Sequence, residues 1–143
     1  GKDGYFSDIT RTFLVGEVEP ELMHIGEVVL AANAKGREIA APGMTAGAVD
    51  KAVRAVIESA GYGAYFTHRT GHGLGMEAHE APYIFGSNLQ LLAPGMVFTI
   101  EPGIYLPGRG GVRIEDDVVI TENGVHSLTD LPRAVVPYNT PFD

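Results

Sequence analysis

No cysteine occurs anywhere in the 143 residues. That absence excludes a disulfide framework, a thiolate metal site and a thiol nucleophile. Basic residues are scarce as well: ten Lys and Arg stand against 18 Asp and Glu, a formal charge of −8. A surface for nucleic acid or an acidic membrane needs a basic stripe, and none is visible, so neither partner is expected. Long apolar runs are missing too; none approaches the roughly 18 residues of a membrane-spanning helix. There is no signal-peptide pattern at the N-terminus, no internal repeat and no low-complexity segment, which makes a cytoplasmic location the expectation. With 45% hydrophobic residues, what remains is one domain with a sizeable core.

Periodicity divides the chain. Tyr5 to Val15 is β-branched and aromatic with partial alternation, which predicts a strand with Phe6, Asp8, Thr10 and Thr12 on one face. Lys2-Asp3-Gly4 before it reads as a turn leading from a strand that is absent, so the chain reads as a piece of something longer. A helix is predicted from Pro20, with Leu22, Ile25, Val28, Val29, Ala32 and Ile39 at helical spacing and a stop at Pro42-Gly43. A second takes Thr45 as N-cap, Val49, Ala52, Val53, Val56 and Ile57 as its apolar stripe, and Gly61 as its stop. Beyond Gly61 the pattern changes to strands and loops. "AYFTH" is a short strand candidate, "GMVFTIEPGIYL" a strand broken at Pro102-Gly103, and "GGVRIEDDVVITENGVHSL" a hairpin turning at Glu122-Asn123-Gly124. The tail after Asp130 carries three prolines and little periodicity. The predicted class is α+β.

Three of the five histidines, His68, His72 and His79, lie inside the glycine-rich stretch "THRTGHGLGMEAHE". Around it, Asp8, His72, Glu101 and Glu115 each stand beside a turn or strand and are metal-competent. Three carboxylates and one imidazole form a hard donor set that suits Mn, Co, Fe or Zn in a hydrolytic site. Singly, each has an ordinary reading. Asp8 is an acid facing solvent from a strand, Glu101 a solvated strand end, Glu115 part of a polar outer face with Arg113 and Asp117, and His72 a loop histidine. Two other patterns fail. Gly71, Gly73 and Gly75 do not have the spacing of a nucleotide-binding loop, and Tyr83 stands where H-E-x-x-H needs its second histidine.

Taken together and in order, "SDITRTF", "GHGLGMEAHEAP", "TIEPGIY" and "GVRIEDDVVITENG" closely resemble the pita-bread metallopeptidases, most of all the Xaa-Pro branch of prolidase and aminopeptidase P. The match runs from about Tyr5 to Leu128. The resemblance implies a pita-bread fold, mainly its second half, with two helices packed on a curved antiparallel sheet. It implies that Asp8 and Glu115 bridge two metal ions, that His72 is the histidine ligand, and that Glu101 ligates one ion and takes part in proton transfer with the attacking water. His79 matches a histidine that contacts substrate and stabilises the tetrahedral intermediate, His68 a substrate-pocket histidine, and Arg113 an arginine beside the metals. His24 and His126 have no such match and read as surface residues. The implied cofactor is a divalent metal, Mn or Co before Zn or Fe, and the implied substrate a proline-containing peptide cleaved before the proline.

The chain also departs from the family. A further metal aspartate lies on the preceding strand in the family and would fall before Gly1, as would the first half of the domain and any N-terminal domain. Residues 1–143 therefore read as a partial catalytic domain, with one metal or none expected in place of the family's two. The uncovered strand and helix face predict a homodimer or association with the missing part. Three alternatives stand beside the peptidase: a non-enzymatic module binding peptide or protein, an inactive fragment of the peptidase, and a creatinase-like amidinohydrolase. The four ligand residues argue for enzyme ancestry.

Overall fold

The computed structural model describes residues 1–138; residues 139–143, the end of the proline-bearing tail, lie outside the described residues. Helix α1 spans Pro20–Ile39, with its proline in the first turn, where a missing N–H costs nothing. Ile25, Val28, Val29, Ala32 and Gly36 are buried on its inner face, three and four residues apart. Gly36 is there for closeness: a Cβ would stand 2.8 Å from Ile100 Cγ2 and 2.9 Å from Val53 Cγ2. Helix α2 spans Ala46–Ser59; Thr45 Oγ1 accepts the Ala48 N–H at 3.1 Å, and Gly61 follows the helix with φ of 86°.

The strands are β1 (Phe13–Leu14), β2 (Gly71–Gly73), β3 (Glu80–Ile84), β4 (Val97–Ile100), β5 (Gly103–Leu106), β6 (Gly110–Arg113), β7 (Asp116–Thr121), β8 (Gly124–Ser127) and β9 (Val136–Pro137). Five of them form an antiparallel sheet in the order β3-β2-β4-β7-β8. At Pro102 the chain leaves that sheet, and β5 pairs with β6 as a separate antiparallel ribbon. The helices cover both pieces. Val53 and Ile57 of α2 join Ile25 and Val29 of α1 against Ile104, Val112 and Ile114. Val49 of α2 packs with Ile84, Phe98, Ile100, Val118 and Ile120 of the larger sheet. Each such side chain, fully buried, contributes about 1.5–3 kcal/mol. Two helices on mostly antiparallel sheet is the α+β class read from the pattern. No helix among the described residues is long and apolar enough to cross a membrane.

Three local expectations change. Tyr5–Val15 is not one strand: only Phe13–Leu14 pairs as β1, in parallel with β9, and Thr10 makes an isolated bridge to Glu115. An extended segment is a strand only where a neighbour takes its backbone groups, and side chains do that work here. "AYFTH" is not a strand: its first two residues complete a 3-10 turn at Gly63–Tyr65, closed by the Tyr65 N–H on the Tyr62 carbonyl at 2.9 Å and the Phe66 N–H on the Gly63 carbonyl at 3.3 Å. At the hairpin the two-residue turn is Glu122-Asn123, neither with a positive φ, and Gly124, at 146°, already pairs with Thr121 as the first residue of β8. The proline-bearing tail supplies the two-residue β9 and sends Arg133 to Asp116. His24 and His126 are exposed, as expected.

Candidate metal centre

His72 is the middle residue of β2, wedged between β3 and β4. A Cβ on Gly71 would lie 1.8 Å from the Thr99 carbonyl oxygen, and one on Gly73 2.3 Å from that of Ala81. The flanking glycines thus let two neighbouring backbones approach, and a side chain at either position has no room. The imidazole is oriented by the same backbone. Nδ1–H donates to the Gly73 carbonyl at 3.0 Å, which leaves the Nε2 lone pair free. Nε2 lies 3.3 Å from Glu101 Oε1 and 4.0 Å from Asp8 Oδ2.

Three elements meet at this nitrogen. Asp8 comes from the irregular N-terminal segment, Glu101 from the end of β4, and Glu115 from the link between β6 and β7. One donor atom each from Asp8, His72 and Glu115 lies within 4.8 Å of the other two. Thr10 Oγ1 donates to Glu115 Oε2, and Thr99 Oγ1 donates to Glu101 Oε1 at 3.2 Å while accepting the His72 N–H at 3.1 Å. His72, Glu101 and Glu115 are buried, whereas the Asp8 side chain is 43% exposed, so the cluster opens on that side.

The electrostatics are those of anions gathered without enough cation. Burial pushes the Glu115 carboxyl up to about 7, the Thr10 hydroxyl opposes that, and the charges of Glu101 and Asp8 add to it. Glu101 is raised by burial as well. Burial also pushes Asp117 up to about 6, although its Oδ2 accepts the Asp8 N–H at 3.0 Å. Asp117 Oδ1 is buried with no hydrogen-bond partner among the described residues. His72 is held below the ordinary histidine value, chiefly by burial, so the neutral ligand form is favoured. Hard oxygens, one neutral imidazole and an orphaned buried carboxylate oxygen fit a divalent cation.

The remaining predicted residues lie around this group rather than in it. The His79 ring is exposed and stands 4.1 Å from the His72 ring, centroid to centroid. His68 donates from Nδ1 to the Arg69 carbonyl at 2.8 Å, and its Nε2 accepts from the Tyr105 hydroxyl at 2.8 Å. Arg113, on the exposed side, donates from Nε to Thr10 Oγ1 at 3.2 Å and bonds Tyr105. Sequence reasoning did not single out Thr10, Thr99, Tyr105 or Asp117 for roles here. Asp117 stands two residues after Glu115, and that alternation in the sequence was a usable signal, although only Asp117 lies in β7; nothing local pointed to Tyr105.

The model of metallopeptidase family M24 matches residues 1–122. The chain belongs to the M24 metallopeptidase family. Among curated M24-like relatives, the Xaa-Pro dipeptidase of Pyrococcus furiosus is 51% identical over 132 residues, which is 92% of this chain and 38% of that protein. The Xaa-Pro dipeptidase of Pyrococcus horikoshii is 48% identical over 132 residues, with the same coverage. The chain thus spans little more than a third of the length of these relatives. Solved structures agree. A prolidase from Pyrococcus furiosus superposes with a TM-score of 0.90 at 51% identity, covering 92% of this chain and 39% of that one. An X-Pro aminopeptidase from Thermotoga maritima does so at 0.90 and 43%, covering 94% and 38%. The M24 chain has the pita-bread fold of these neighbours over the part they share.

Proposed function

We propose that the chain is part of the catalytic domain of a metal-dependent peptidase that hydrolyses the peptide bond before proline, as an Xaa-Pro dipeptidase or aminopeptidase P. The observation that carries this reading is the convergence of Asp8, His72 and Glu115, with Glu101 against His72, on an M24 chain. The names of the dipeptidase relatives support the proline specificity.

Asp8, His72, Glu101 and Glu115 would hold the cation, manganese or cobalt before zinc or iron. A bound divalent ion supplies Lewis acidity and makes water nucleophilic near neutral pH. Asp8 and Glu115 would each offer it a carboxylate oxygen, from opposite segments. Glu101, 3.3 Å from His72 Nε2, would take the proton from the attacking water and pass it to the leaving amine. His79, exposed beside His72, donates to the developing oxyanion. His68 and Arg113 flank the peptide on the Tyr105 side. The chain as it stands is expected to hold a single ion and to meet either its own copy or the first half of the domain across its exposed apolar N-terminal segment.

The test is metal content after loading with manganese, for the chain and for His72→Ala, followed by an assay on an Xaa-Pro peptide. A single ion per chain, lost in the variant, with cleavage before proline, is expected. An absence of metal in both proteins would overturn the reading.

A further inference from the structure

Arg11 stands three residues after Asp8 in a segment with little ladder pairing of its own. A guanidinium has five N–H donors, and Arg11 uses all five. Nε–H donates to the Pro132 carbonyl at 2.8 Å. Nη1 donates to the carbonyls of Thr10 at 2.9 Å and Glu115 at 2.7 Å. Nη2 donates to Asp116 Oδ1 at 2.6 Å and to the Leu131 carbonyl at 3.0 Å. The side chain is only 9% exposed, and its bonds to Thr10, Glu115 and Asp116 are partly buried, so losing any of those three would leave a polar group poorly paired away from solvent.

Two of those acceptors matter together. The Thr10 carbonyl belongs to the segment that carries Asp8, and the Glu115 carbonyl to the residue that carries the facing carboxylate. One nitrogen of Arg11 joins both. The anchor behind it is Asp116, fully buried, whose other oxygen accepts from Arg133 Nε at 2.6 Å and lies 3.7 Å from Arg37 Nε. A buried carboxylate held by several guanidiniums is a rigid post, since each bond is charge-assisted and directional. Elsewhere in the fold a ladder would fix the register of two such segments. Between residues 8–12 and 113–117 the backbone contributes the Glu115 N–H to the Thr10 carbonyl at 3.1 Å, and side chains do the rest.

We propose that Arg11, anchored on Asp116, is a positioning residue that sets the separation of Asp8 and Glu115 and thereby their affinity for a divalent cation. This rests on the metal-site reading above. Lysine cannot substitute, because three donors on a point charge do not reproduce a planar fork serving carbonyls on three segments.

The experiment is the dissociation constant for manganese, measured by isothermal titration on the full chain, with the melting temperature of each variant recorded beside it. Arg11→Lys is expected to weaken manganese binding about tenfold or more, the range seen for residues that orient metal ligands. Ile57→Val, in the core between the helices, is expected to lower the melting temperature and leave the dissociation constant unchanged, so instability alone does not imitate the effect. Arg11→Lys with the wild-type constant would overturn the proposal. Should Arg11→Lys not fold, Asp116→Asn keeps an acceptor oxygen in place and is read instead: weakened binding supports the clamp, and unchanged binding overturns it. A wild-type chain that takes up no manganese is a different result, because it removes the metal site itself and the clamp's role falls with it.

Discussion

Glu115 shows how burial at a single residue sets the behaviour of the site. Its carboxyl is pushed up to about 7 by burial. A group whose folded-state pKa exceeds its unfolded one favours folding fully below the unfolded value, and that contribution is lost as pH rises through the folded value. Glu101 and Asp117 are raised and act in the same sense. His72, lowered by burial, acts the other way and costs stability as pH falls below the ordinary histidine value. Comparison with Glu115→Gln isolates the glutamate. Without metal, the variant's stability advantage should grow between about pH 5 and about pH 8, by on the order of 2–3 kcal/mol. With manganese present the order should reverse, because the amide no longer carries the ligand charge. Thermal unfolding in chelator and in manganese, at each pH, checks both halves.

At the scale of elements, the helices and the short β2 strand respond to different physics. Thr45 is a terminal cap whose hydroxyl accepts one N–H, so Thr45→Ala is expected to cost about 1 kcal/mol. Gly71 is a contact between two backbones, and Gly71→Ala would drive a methyl into the Thr99 carbonyl. The strands must then separate, which is expected to cost about 3 kcal/mol or more. Denaturant titration of both variants measures the contrast. The two helices were legible in the sequence because caps, apolar spacing and stops all act within one or two turns. The N-terminal segment was misread as a continuous strand, because β-branched composition signals extended backbone without saying whether a neighbour pairs with it. The reason for the glycines beside His72 was likewise hidden, since Thr99 and Ala81 are brought there by other strands.

For the molecule as a whole, Tyr5, Phe6, Ile9, Phe13 and Val15 stand 42–63% exposed along one N-terminal segment. Apolar side chains so concentrated in sequence favour association. The isolated chain is expected to sediment heavier than its 15.2 kDa monomer, and Tyr5→Ser with Val15→Ser to shift it toward that mass. Analytical ultracentrifugation at several concentrations reads the shift. Sedimentation at the monomer mass throughout would show that this segment recruits no second copy.

Composition, helix boundaries, the α+β class and the ordered motifs that mark the family all follow from residues close together in the chain. Their signals are short in range: a cap, a glycine stop, a period of three to four, a histidine between glycines. The site obeys different rules. Asp8 reaches Asp117 across 109 positions, Thr10 reaches Glu115 across 105, and Arg11 joins segments that no local pattern connects. Which carboxylate faces the His72 nitrogen, which one is left with an orphaned oxygen, and which guanidinium holds them apart depend on how helices and sheets pack. Packing couples distant residues through excluded volume and buried polar groups that must find partners, and that coupling exists only once the chain has folded.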